Sequence, residues 1–223
     1  MASATDSGPA MEDVTATVGA SIRAFLTKNL TVQNLKFPRL RFAQLGWVDG
    51  YSGERFAEVG REIGPSKIEV YSYPIGNPAR YASSEDGDFF VVDPEVAVAF
   101  ELDKHVYVHE ACHAIQDWSQ WRCSRQDREI DAHFGQALYL VRSGDEKTAT
   151  LPPRMALFLD AARDFDADSK YLKSLRFHKM LRKMEHEIYM DYQYSEAASD
   201  PYFDPDAFAK AFTKRGREDG KTY

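Results

Sequence analysis

The sequence predicts an α+β fold, and three observations carry that reading. Short alternating or apolar runs that suit strands crowd into the first half of the 223 residues. The second half is paced at helical spacing and broken by helix stop signals. The two classes are segregated rather than interleaved, which argues against a repeated βαβ plan. With 43% hydrophobic residues the chain has enough apolar material for one substantial core. We expect residues 1–10 to be unstructured, 11–215 to form a single domain and 216–223 to be a flexible tail. Within the domain, 11–120 would supply a small sheet and a central helix, and 121–215 a helical portion.

In chain order, Val14, Val18, Ile22, Phe25 and Leu26 keep helical spacing and predict a first helix over 12–29. Residues 37–47 interleave Leu40, Phe42 and Leu45 with polar side chains, as a strand does, before a turn at Asp49 and Gly50. A short helix over 54–63 is closed by Gly64 and Pro65. Residues 67–73 alternate as a strand, and 88–92 form an apolar strand fenced by turn residues on both sides. Residues 94–101 suit either a helical turn or an extended segment. A helix is expected over 104–119 with Asp103 as its N-cap. After a connector at 120–123, Ser124 to Asp127 can cap a second helix that runs to Arg142 and stops at Ser143 and Gly144. Pro152 and Pro153 open a third helix, a long one spans 168–194, and a last short one covers 206–214.

Bulk properties narrow the partners. The net charge of −7, with a pI near 5.4, argues against nucleic acid or an anionic membrane as the main partner. No apolar run approaches the ~20 residues that span a bilayer. Residues 1–20 lack a basic start followed by an apolar block. We therefore expect the cytoplasm, or export by a route without a cleavable leader. Two cysteines, Cys112 and Cys123, do not make a disulfide framework.

The most informative stretch is His109-Glu110-Ala111-Cys112-His113, an HExxH pentapeptide. On a helix, positions i and i+4 lie one turn apart on the same face, so both imidazoles can reach one ion. Zn²⁺ accepts neutral imidazoles, and a catalytic zinc takes three protein ligands plus water. Glu110, directly after the first histidine, would serve as general base toward that water.

The third ligand is sought in Arg128-Glu129-Ile130-Asp131-Ala132-His133. If the two helices form an antiparallel hairpin around the connector, Glu129 and His133 fall level with the HExxH turn. Glu129 is preferred because a carboxylate offsets the ion's charge, with His133 supporting from behind. His133 and Asp131 remain alternative ligands. Ala132 is small and would permit close approach of the helices. Ile130, Phe134, Leu138 and Val141 would form the core-facing stripe. His105 reads as a histidine at the rim and Cys112 as a buried small hydrophobe. Gln116 suits either a hydrogen bond near the metal or a half-exposed surface. Asp164, Asp166 and Asp168 alternate as in a calcium loop but lack its glycine and terminal glutamate, and read as a helix-start cluster.

HExxH followed by Glu129-Ile130-Asp131-Ala132 resembles the gluzincin branch of zinc metallopeptidases, particularly the small minigluzincins. The resemblance covers about 103–142. It implies a zincin-like fold in which a small twisted mixed sheet packs on the active-site helix. It also implies an extended peptide or protein substrate on the sheet's edge strand, and a Zn²⁺ cofactor. His178, His186, Tyr189, Tyr192 and Tyr194 could supply an oxyanion donor; substrate-binding residues and oligomeric state are not legible. Two other classes stay in view: a zincin-fold binding or scaffold protein without turnover, and a metal-free helical interaction protein.

Overall fold

The computed structural model describes residues 11–29, 34–45, 50–64, 67–84, 87–94, 100–121, 124–147, 149 and 151–197. Over these the chain is α+β, with a small sheet in the first half and long helices in the second. Six strands, β1 (Glu12–Asp13), β2 (Phe37–Pro38), β3 (Gly50–Tyr51), β4 (Ile68–Ser72), β5 (Ala79–Ser84) and β6 (Gly87–Val92), are joined by six helices. The helices are α1 (Val18–Ala24), α2 (Gly53–Glu62), α3 (Phe100–Trp118), α4 (Arg125–Ser143), α5 (Met155–Ala167) and α6 (Leu175–Ala197). No helix among the described residues is long and apolar enough to cross a membrane.

The main sheet has the order β1-β4-β6-β5. Strands β4 and β6 run parallel, while β1 and β5 pair antiparallel with them at the two edges. The period of two sorts side chains to the two faces. Ile68, Val70, Phe90 and Val92 face the helices and join the main core, whereas Tyr71, Phe89 and Val91 form a second cluster on the opposite face. The edge strand β5 lies along α3, which sets the sheet beside the HExxH turn.

Helices α3 and α4 form the expected hairpin and pack closely on each other. The start of α4 is fixed by a capping box in which Ser124 and Asp127 satisfy each other's backbone amides. Its end is Gly144 in the left-handed region, φ 79°. Ala132 is fully buried, but the tightest approach falls one turn later, at Gly135. A Cβ there would stand 2.9 Å from Cys112 Sγ and 2.9 Å from Phe37 Cζ. Residues 130–140 are buried on every side, since α5 and α6 cover the face that α3 does not.

Several expectations change in detail. The first helix breaks into β1, α1 and a π-helical turn (Phe25–Asn29), because Val14 N–H bonds to Val70 O and draws the chain onto the sheet. The expected strand over 37–47 lasts only two residues. Leu40–Leu45 is a 3-10 helix, its start held by Leu40 N–H donating to Asp131 Oδ1 at 2.9 Å. Helix α3 begins at Phe100, so Asp103 is not its cap. The long helix expected over 168–194 is divided at Ser174 into a 3-10 turn (Ser169–Lys173) and α6. Strand β5 was not foreseen at all. The expected helix over 206–214, the two termini and Cys123 lie outside the described residues.

Candidate metal centre

His109 and His113 leave α3 on the same face, and Glu129 comes across from the second turn of α4. Their donor atoms converge. His109 Nε2 lies 3.2 Å from His113 Nε2, and Glu129 Oε2 lies 3.4 Å from the first and 3.6 Å from the second. A circle through these three atoms has a radius of ~2 Å, the length of a zinc–nitrogen bond, and tetrahedral ligands on such bonds stand ~3.3 Å apart. Two imidazoles and one carboxylate are a donor set that zinc takes in catalytic sites. The residues therefore fit the ion in spacing and in chemistry.

The electrostatics agree. Burial alone would lower the His113 pKa, yet hydrogen bonding and the charge of Glu129 outweigh it and lift the imidazole to about 9. Burial would raise Glu129, and the two imidazoles instead hold it well below the usual carboxylate range. A metal ion held here would displace that proton, so metal and proton would compete.

Behind each helix stands a supporting train of hydrogen bonds, and the two share a pattern, His-x-x-Gln. On α3, His113 Nδ1 donates to Gln116 Oε1 at 2.9 Å, which leaves its Nε2 lone pair toward the cluster. Gln116 Nε2 donates in turn to Tyr51 OH (2.7 Å) and to the Arg128 carbonyl (2.9 Å). Tyr51 OH donates to Asp131 Oδ2 at 3.2 Å. On α4, His133 Nδ1 donates to Gln136 Oε1 at 3.1 Å, and Gln136 Nε2 donates to His105 Nδ1 at 2.7 Å. His133 and His105 are both buried. Burial, with the charge of His109 added, lowers His105 to about 4 and His133 well below its usual value.

Glu110 is 8% exposed, and its Oε2 accepts the Tyr81 N–H of the edge strand at 2.6 Å. That bond ties β5 to the residue beside the first histidine. Tyr81 OH donates to Asp117 one helix turn beyond His113 (3.2 Å) and fastens the strand a second time.

Each residue singled out in the sequence therefore has a place. His109, His113 and Glu129 come together. His133 lies close behind, its ring centroid 4.4 Å from that of His109, and its ligating atom falls within 4.8 Å of those of His109 and Glu129. Asp131 turns away: both its oxygens are engaged by Leu40 N–H and Tyr51, and burial raises it to about 7. It braces α4 against the 3-10 turn and is not part of the cluster. Cys112 is fully buried, which pushes its thiol well up. Gln116 is fully buried, not half-exposed. His105 is buried rather than at a rim. Asp164 and Asp166 pair with Arg176 and Arg142, and Asp168 caps the 3-10 turn. His178 is half-buried and His186 exposed on α6, while the side chains of Tyr189, Tyr192 and Tyr194 are outside the described set.

Sequence reasoning missed Tyr51, Tyr81, Gln136 and Phe158, whose ring packs on His133 at 5.2 Å. Gln136 had a usable signal, the repeat of His-x-x-Gln at the same helical spacing. Tyr51 and Tyr81 had none, because each arrives from a distant part of the chain. Comparison with protein-family profiles, curated proteins and solved structures gives no match for this chain.

Proposed function

We propose that the chain is a zinc-dependent metallopeptidase of zincin type, with His109, His113 and Glu129 holding the ion and Glu110 as general base. One observation carries the reading: three donor atoms from two helices at mutual distances of 3.2, 3.4 and 3.6 Å. When bound, Zn²⁺ would polarise the scissile carbonyl and lower the pKa of water toward ~7. The remaining chemistry belongs to the protein. The Tyr81 N–H holds one Glu110 oxygen, which orients the carboxylate and leaves the other oxygen to take a proton from the attacking water. Glu110 then passes that proton to the leaving amine. Gln116 keeps His113 in the tautomer that a ligand needs. The edge strand beside the cluster supports an extended peptide as substrate, since its outer rim offers backbone groups for strand addition.

A second reading is favoured by His133. If its ring completes the coordination, four protein donors close the site, as in structural zinc centres, and the protein binds metal without turnover. Metal analysis together with cleavage of an unbiased peptide library, run on the parent and on Glu110→Gln, separates these readings. We expect zinc in both proteins and cleavage that falls at least ~100-fold in the variant. Equal cleavage by the variant removes Glu110 from the mechanism. Zinc without cleavage in the parent selects the second reading, and absence of zinc ends both.

A further inference from the structure

We propose that the solvent face of α6, with the 3-10 turn before it, is a docking surface for an anionic lipid bilayer. Residues 169–184 carry six Lys/Arg and no Asp or Glu, inside a chain whose net charge is −7. Lys170, Lys173, Arg176, Lys179, Arg182 and Lys183 are all exposed. The whole-chain charge hides this segregation.

Helical geometry makes the cations contiguous. Phe177, Leu181, Met184 and Ile188 recur at spacings of four, three and four, and all are buried in the main core. The opposite side of the same turns therefore presents Arg176, Lys179, Arg182 and Lys183 together. Arg176 is held by Asp164 at 2.8 Å. The side chains of Lys179, Arg182 and Lys183 have no acidic partner among the described residues.

In the middle of these charges stands Leu175, 70% exposed, the one exposed large hydrophobic side chain among the described residues. With Arg176, Lys179, Met180 and Lys183 it borders a shallow, open depression of about 400 Å³. An apolar side chain ringed by lysines matches the boundary between headgroups and acyl chains, where the leucine enters and the ammonium groups stay among phosphates. Basic clusters of this size on a helix face are retained by anionic lipid. Nucleic acid would gain nothing from Leu175, and among the described residues this face has no exposed aromatic ring for bases to stack on.

The test is flotation of the full chain with phosphatidylcholine vesicles and with vesicles in which a third of the lipid is phosphatidylserine. We expect binding to the second kind only, weakened as salt is raised. Each of Lys179→Gln and Lys183→Gln should weaken it about fivefold. Leu175→Ala should weaken it at every salt concentration, because the loss is apolar. Unchanged thermal melting of these surface variants keeps the comparison clean. Absence of binding to the anionic vesicles overturns the proposal, as does binding that ignores both lysine substitutions. Capture of a labelled DNA duplex or single strand without vesicle binding reassigns the surface to nucleic acid and overturns it equally.

Discussion

The two His-x-x-Gln trains behind the cluster are built alike and end differently. Both use a glutamine three residues on to take the Nδ1 proton of a buried histidine, at 2.9 Å on α3 and 3.1 Å on α4. Yet His113 is lifted to about 9 while His133 is held well below its usual value. The glutamine is common to both, so it does not set the difference. Glu129 does at His113, where its carboxylate lies 3.6 Å away and outweighs burial; at His133 burial prevails, with the charge of His109 added. The same local device thus serves one imidazole that a carboxylate keeps protonated and one that burial keeps neutral. A histidine's sequence neighbours fix its tautomer; its spatial neighbours fix its charge.

The comparison breaks most completely if the carboxylate is removed. Glu129→Ala should weaken zinc by more than ~100-fold, beyond the range that supporting groups command, as read by competition with a chromophoric chelator. It should also return His113 toward an ordinary pKa, visible by NMR titration of the ring in chelated protein. Next in size, Gln116→Ala should cost about 10–100-fold in zinc affinity, since it frees the tautomer of a ligand. Gln136→Ala should leave zinc affinity nearly unchanged. Equal losses in the two variants would put His133 in the ligand set and favour the closed, structural centre.

The smallest effect is on stability. His105, at the end of the α4 train, has a folded pKa lowered to about 4 from 6.5. The folded form resists its protonation, so this contribution is complete above pH 6.5 and is lost as pH falls toward 4. Between those values the slope approaches ~1.4 kcal/mol per pH unit. Urea unfolding of the chelated parent and of His105→Gln across that window should give curves that converge at low pH. Parallel curves would mean that His105 takes up its proton at the same pH in the folded and the unfolded chain, and the burial argument fails.

Legibility of the sequence followed the range of the interactions. The α3–α4 hairpin was readable because its signals are local: a pentapeptide at helical spacing, a Ser-x-x-Asp start and a glycine stop. Equal distances from the connector then put Glu129 beside the HExxH turn, and the bond from Gln116 to the Arg128 carbonyl keeps that register. The strand expected over 37–47 gives way to a two-residue strand and a 3-10 turn because the conformation of 37–45 is dictated from afar. Asp131 holds Leu40, and the Tyr51 ring lies stacked on Phe37 at 4.4 Å. Strand β5 escaped because Arg80, Ala82 and Ser83 give no apolar alternation; its core face is only Ala79 and Tyr81, and its pairing with β6 and bond to Glu110 do the rest.

Gly135 acts as a gauge between α3 and α4. Where a methyl group would meet sulfur and an aromatic ring at 2.9 Å, hydrogen lets the two rods settle at one separation. That separation is also one dimension of the triangle above it, since two corners belong to one rod and the third to the other. A larger residue at this point would have to displace Cys112 or Phe37, and with them the spacing of the two rods. A position outside the cluster would therefore set which ionic radius the proposed centre accepts.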